Sequence, residues 1–536
     1  TVTMKCGERL NPDGTVDQRE IAVYTVQRDP RQRIQTCAYV LKGEGREVWE
    51  PRFHYAGFQY VEVTGAPGPL TLDNLEGRVV HTDLERVGRF ECSDPFLNRI
   101  HEAAVRAYVG NLHGIPTDCP TREKNGWTGD AHIAAELGIY NFDGGAFYTK
   151  WLNDLADAQR PDGDLPGIVP SGGWGYGIGI GPAWDSAFLH IPWDLYRYYG
   201  DVRILESHFD GMRRYVDFLT SRAENGIVSY GLGDWVPYDT QTSPALTSTS
   251  YYYRDAVIVS EAAAILGREE EARRYRKLAD EIRRAFNARF FDKETGLYDN
   301  GSQTALSCAL YQGLVEPEHV GRVVENLVRA VARRDYHIDT GLLGSKYLLN
   351  VLLDHGRADV AFRVASQKTL PGWGWWIEQG ATTLWEQWKG TDSRNHVMFG
   401  DIGAWFYKAL AGIRVENPGF REFIIRPRIV DGLTSVAAEY QSIAGLIASA
   451  WNAEGDTLTL RGRVPANTCA RVYVPAGDPA AVREGGRPAA EVEGVQFARH
   501  EDGCAVFEVG SGSYEFTAPW PPSGRKDTAP QGERAG

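Results

Sequence analysis

The period of the hydrophobic residues changes twice along this chain, and each period admits one kind of element. CAYVLKG (37–43), EVWEPRFHYAGFQYVEVTG (47–65) and LEGRVVHTDLERVGRFECS (75–93) alternate apolar and polar residues between Gly, Pro and Asp turns. Alternation puts side chains on opposite faces of a strand, so residues 1–92 are expected to form an N-terminal β-sandwich. From Ser93 the period lengthens. Phe96, Ile100, Ala103 and Ala107 fall on one helical face, with Ser93 and Asp94 placed to cap it. Helical patterns such as VRILESHFDGMRRYVDFLTSRA (202–223) and PEHVGRVVENLVRAVARRD (317–335) then follow one another to residue 415. Long helices in series, joined by Gly-rich and aromatic loops, predict an all-α toroid over 93–415, although no internal repeat marks its units. After REFIIRPRI (421–429) the alternation returns in SVAAEYQS, TLTLRGRV, ARVYVPA and SYEFTAP, predicting a C-terminal β-sandwich over 416–518. Residues 519–536 are polar and rich in Pro and Gly, and are expected to be a disordered tail.

Charge and apolar run length exclude several functions. A net charge of −14 with no long basic run argues against nucleic acid as a partner. Stretches such as DAVIVSEAAAILG (255–267) are interrupted well before the roughly 18 apolar residues needed to cross a bilayer, so no membrane partner is expected. The amino end has neither a basic nor an apolar leader region, which gives an expectation of a cytoplasmic protein, and its start in strand-like sequence suggests processing or truncation. Seven cysteines are scattered without CxxC spacing, which fits reduced thiols better than disulfides or zinc. No metal and no cofactor is expected.

Four unusual loops lie in the helical segment: DCPTREKNGWTGD (118–130), RPDGDLPGIVPSGGWGYGIGIGPAWDSA (160–187), GLGDWVPYDTQTSP (231–244) and PGWGWWIEQGATTLWEQWKGTDSRNH (371–396). Each mixes Trp, carboxylates and glycines, as expected where a polar ring-shaped ligand is held by hydrogen bonds and stacking. For one loop alone, capping of helix ends explains the composition equally well. Other chemistries lack their residues. GYGIGIGPAW has no phosphate-loop Lys, no GxSxG is present, and His101-Glu102 is followed by Ala-Ala-Val rather than completing HExxH. Paired carboxylates remain, one to protonate a leaving oxygen and one to activate water or attack the sugar carbon.

DCPTREKNGWTGD resembles the signature of the α-L-rhamnosidases of glycoside hydrolase family seventy-eight, whose usual form is close to DCPQRDERLGWTGD. The stretch is one residue shorter here, so the acidic pair of the longer form falls on the single Glu123. The resemblance continues in YNFD (140–143), AWDSAFLHIPWDLYRYYGD (183–201), GDWVPYD (233–239), GATTLWEQW (380–388) and SRNHVMFGDIGAWFY (393–407), and covers most of the chain. It implies a central (α/α)6 toroid between two β-sandwich domains, and hydrolysis of terminal α-L-rhamnosides with inversion. The implied substrate is a small-molecule or oligosaccharide rhamnoside; oligomeric state is not implied. Carried over position by position, Glu123 is the general acid and Glu386 the general base, with Glu378 as rival base. Asp118, Arg122 and Asp130 match residues that hold sugar hydroxyls, and Trp127, Trp184, Trp235 and His396 match the lining of the sugar pocket. AWDSA stands where AWGDA is commoner, which leaves the role of Asp185 open. Two other readings stay open beside this one: a toroid hydrolase or phosphorylase for another sugar, and a catalytically silent carbohydrate-binding protein.

Overall fold

A computed structural model describes residues 1–22, 34–173, 175–177 and 179–521 of the chain. It divides into two compact units, and the division does not follow the chain in order. One unit takes Thr1–Arg86, Arg99–Leu195 and Val202–Ala404; the other takes Val87–Asn98, Tyr196–Asp201 and the chain from Trp405 onward.

In the first unit, β1 (Val2–Gly7) pairs antiparallel with both β4 (Thr36–Tyr39) and β5 (Tyr60–Thr64), while β2 (Arg9–Leu10) and β3 (Val16–Asp17) form a short ribbon. Among the described residues this amino-terminal segment is therefore one three-stranded sheet and a ribbon, in place of the expected two-sheet sandwich. Much of the alternating sequence between residues 40 and 87 is irregular backbone. Pro51, Pro67 and Pro69 cannot donate to a ladder, which limits strand growth there.

The rest of this unit is helical, and burial alternates from helix to helix. Pro244–Ile265 is buried on nearly all sides, whereas its neighbour Glu269–Phe290 buries only Tyr275, Ala279, Ile282, Phe286 and Phe290, a single stripe at helical spacing. The contrast repeats downstream. Leu342–Asp354 is buried from Leu342 to Leu353, while Val320–Ala332 buries Val323, Val324, Leu327 and Val331. No helix among the described residues is long and apolar enough to cross a membrane.

The second unit is built on two sheets. Strands Val495–Glu501, Cys504–Val509, Cys469–Pro475, Glu422–Ile425 and Ile413–Val415 lie side by side in that order, the third and fourth parallel. A seven-stranded sheet includes Gly512–Pro519, Thr457–Val464, Gly445–Glu454 and Ser435–Ser442. Phe507 of the first sheet stacks on Phe516 of the second with ring centres 5.4 Å apart, so the sheets meet face to face. The last strand of the seven is β6 (Gly88–Cys92), which pairs with Ser435–Ser442 through Cys92↔Val436 and Gly88↔Tyr440. This corrects the expected boundary at residue 92. Alternation in GRFEC identifies a strand but carries no record of which sheet completes its ladder. The carboxyl-terminal stretch expected to be disordered lies outside the described residues from Pro522 onward.

Candidate active site

Residues 118–127 form a tight loop closed on itself. The Asp118 amide donates to the Asn125 carbonyl at 2.9 Å, and Asp118 Oδ1 accepts the Asn125 amide at 2.8 Å. Cys119 sits inside the loop, its thiol donating to Asp118 Oδ2 at 2.9 Å and its sulfur accepting the Glu123 amide at 3.4 Å. Gly126 is required: a Cβ there would lie 2.0 Å from the Val169 carbonyl oxygen. Lys124, in a left-handed conformation, turns its ammonium away to the Tyr55 carbonyl (2.6 Å) and over the Tyr55 ring. Arg122 and Glu123 are left facing the second loop.

That loop, residues 384–396, folds back so that the Glu386 amide bonds the Ser393 carbonyl at 2.9 Å and the His396 amide the Leu384 carbonyl at 2.9 Å. Glu386 is 6% exposed. Both its oxygens accept Arg122 Nη2 at 2.8 Å, and Oε2 also accepts the Ser393 amide at 3.0 Å. The same Arg122 nitrogen lies 3.4 Å from Glu123 Oε1, while Nη1 binds Asp392 Oδ1 at 3.0 Å. One guanidinium thus gathers three carboxylates, and Glu123 Oε1 lies within about 6.2 Å of both Glu386 oxygens, just short of the roughly 6.5–9.5 Å between carboxyl groups of an inverting pair. Glu123 Oε2 is fixed from the other side by Trp127 Nε1 at 2.7 Å. Burial raises the Glu386 carboxyl above its ordinary range, and Arg122 is the first influence opposing it.

Beside these lies a second group. His396 Nδ1 is 3.4 Å from Asp130 Oδ1 and Nε2 is 3.9 Å from Asp118 Oδ2. Neither contact is an ion pair at neutral pH. Burial drops the His396 imidazolium to about 3, whereas burial and then the Glu123 charge raise Asp118 to about 8. Burial followed by the Asp118 charge raises Asp130 well above the carboxylate range. Burial thus works against charge on each of the three groups, which can donate to or accept from a sugar hydroxyl.

Glu123, Glu386, Asp118, Arg122, Trp127, Asp130 and His396 come together. Glu378 does not share their burial: it is exposed at the end of the short helix Trp373–Glu378. Trp184 is 2% exposed and packs on Gly129, where a Cβ would lie 2.5 Å from its ring. It supports the helix Thr128–Ile133 that carries Asp130. Trp235 is 44% exposed. Its neighbour Asp234 is buried and caps the helix Leu342–Asp354, accepting the amides of Gly341, Leu343 and Gly344. Asp185 lies apart with Tyr215, Asp164 and Asp255; burial first and the Asp164 charge next raise its carboxyl, while a hydrogen bond from Tyr215 opposes them. In the Trp-rich loop, Trp373, Trp376 and Trp388 are fully buried, Trp376 stacking on Trp388 at 4.8 Å, so capping and packing account for these rings. Asp392 is the site residue that sequence reasoning missed. KGTDSRN reads only as a turn, which its φ of 58° bears out, with no sign of the distant Arg122.

The sequence matches three family models in succession. Residues 1–81 match the bacterial alpha-L-rhamnosidase concanavalin-like domain, 85–410 the bacterial alpha-L-rhamnosidase six-hairpin glycosidase domain, and 412–488 the C-terminal domain of that family. An alpha-L-rhamnosidase of Streptomyces avermitilis is 36% identical over 532 residues, 96% of this chain and 49% of the relative. An alpha-L-rhamnosidase of Formosa agariphila is 29% identical, over 97% of this chain and 57% of the relative. The chain thus spans about half the length of the curated relatives it matches. Among solved structures, the alpha-L-rhamnosidase from Dictyoglumus thermophilum superposes with a TM-score of 0.90 at 39% identity, covering 97% of this chain and 59% of that one. The Streptomyces avermitilis alpha-L-rhamnosidase complexed with L-rhamnose gives 0.89 at 35% identity, covering 96% and 49%. With a six-hairpin glycosidase model matching more than half its residues, the chain belongs to the bacterial α-L-rhamnosidase family.

Proposed function

We propose that the protein hydrolyses terminal α-L-rhamnosyl bonds with inversion at carbon one. The observation that carries the hydrolase reading is the sharing of Arg122 between Glu123 and Glu386, two carboxylates from loops far apart in sequence, while inversion rests on the resemblance to family seventy-eight. An inverting glycosidase needs a protonated acid on one side of the scissile bond and an ionised base holding water on the other. Glu123 is the acid: Trp127 holds one of its oxygens, and the other, 3.4 Å from Arg122 Nη2, faces the second loop and delivers the proton to the leaving group. Glu386 is the base. Two bonds from Arg122 and one from the Ser393 amide favour its ionised form against the cost of burial.

Asp118, Asp130 and His396 hold the sugar hydroxyls. Trp127 covers the ring or its methyl group, Trp235 supplies an exposed stacking surface, and Trp184 backs the helix behind them. A solved relative was complexed with L-rhamnose, which supports that sugar as the unit bound. The alternation of fully buried and one-sided helices supports an (α/α)6 toroid with an inner and an outer ring, and both loops of the site join its helices. The test is release of free rhamnose from a chromogenic aryl α-L-rhamnoside, with and without inorganic phosphate. Phosphate-independent release supports the hydrolase; sugar phosphate as product, or no turnover, would overturn it.

A further inference from the structure

Between β1 and β2 the chain places Glu8, only 8% exposed, within reach of both site loops. Its Oε1 accepts the Thr121 hydroxyl at 2.8 Å, in the loop that carries Glu123. Its Oε2 accepts the Arg394 amide at 2.9 Å, in the loop that carries Glu386. Arg9 follows with one guanidinium nitrogen bonded to the Gly390 and Asp392 carbonyls, both at 2.8 Å. Asp392 in turn binds Arg122. The same β segment grips the first loop twice more, the Gly57 amide donating to the Pro120 carbonyl at 3.1 Å and Tyr55 accepting Lys124. Among these contacts from the β segment, Glu8 alone reaches both loops.

We infer that Glu8 and Arg9 are positioning residues, a brace from the amino-terminal β segment that sets the span between the two carboxylate loops. The inference rests on the proposed roles of Glu123 and Glu386. A carboxylate suits the place because it accepts on both oxygens, and here it meets a donor on each side. An amide has one acceptor oxygen, so Gln at this position satisfies one loop and turns its NH2 toward the donor of the other. The reaction tolerates little slack, since a misplacement near 1 Å between reacting groups costs on the order of a hundredfold in rate.

The test compares Glu8→Gln, Thr121→Val and Thr121→Ser with the parent protein, by hydrogen exchange and by steady-state kinetics on an aryl α-L-rhamnoside. Glu8→Gln should raise exchange in peptides covering both 118–125 and 386–396 while the remaining helices keep their protection. It should lower kcat by roughly ten- to a hundredfold with KM changed less than about threefold. Thr121→Val should do the same to a smaller degree, and Thr121→Ser, which keeps the hydroxyl, should restore the rate. Should Glu8→Gln fail to fold, the Thr121 pair decides alone. Unchanged exchange in both loops, a rise in KM with kcat intact, or equal rates for the Val and Ser variants would overturn the brace. A parent protein inactive on rhamnosides would instead refute the proposed function, and the exchange comparison would still judge the brace.

Discussion

Replacing Arg122 by Met keeps an unbranched but shorter apolar stem and removes the one guanidinium that three carboxylates share. Arg122 and Glu386 have side-chain exposures of 7% and 8%, so the substitution leaves a buried carboxylate without its counter-ion, a loss of about 3–5 kcal/mol. Asp392, 30% exposed, can recover water and adds less. The loss depends on pH in a defined direction. Burial already raises the Glu386 carboxyl above its unfolded value, and Arg122 is first among the groups holding it down. Without Arg122 it rises further. A carboxyl raised in the folded state costs nothing while protonated in both states, and destabilises as pH climbs from the unfolded value through the folded one. Arg122→Met should therefore come closest to the parent protein near about pH 5 and fall behind it toward about pH 8. Urea unfolding followed by Trp fluorescence at the two pH values measures the gap. A gap that is constant, or wider at the acid end, would refute the assignment of Arg122 as the group that keeps Glu386 ionised.

Glu123→Gln should lose orders of magnitude on rhamnosides with poor leaving groups and far less on activated aryl rhamnosides, because a stable phenolate needs little protonation. Equal losses on both would remove Glu123 from the acid role. Glu386→Ala should fold, bind L-rhamnose and turn over very slowly, while Glu378→Ala, at an exposed helix end, should stay within about 0.5 kcal/mol in stability and keep its rate. A large kinetic loss confined to Glu378→Ala would transfer the base to that residue.

Residues 118–130 were legible through their likeness to the rhamnosidase signature, and the contacts inside that loop are local: Asp118 bonds Asn125, Glu123 bonds Trp127, and Gly126 allows a close backbone approach. What bridges loops was not legible. The sequence holds no sign that Arg122 binds Glu386 and Asp392, more than 260 positions away. Glu8 reads as an ordinary charge between strands, and its partner Arg394 lies 386 positions on. Aromatic density also misled. Trp373, Trp376 and Trp388 have the same glycine-rich surroundings as Trp235, and only burial separates packing rings from exposed ones. The boundary at residue 92 failed for a related reason. A strand's alternation is written in its own residues, but the sheet it joins is chosen by a complementary edge, here Ser435–Ser442.

The pairing of Glu123 as acid with Glu386 as base is tested most directly by the anomer of the first sugar released. Under the proposed pairing, water held by Glu386 attacks carbon one from the face opposite Glu123, and an α-linked substrate yields β-L-rhamnose first. Proton NMR in the opening minutes of hydrolysis, before mutarotation mixes the anomers, should show the β form rising ahead of the α form. An α-anomer appearing first would mean a covalent intermediate and retention, and would contradict the assignment of both residues.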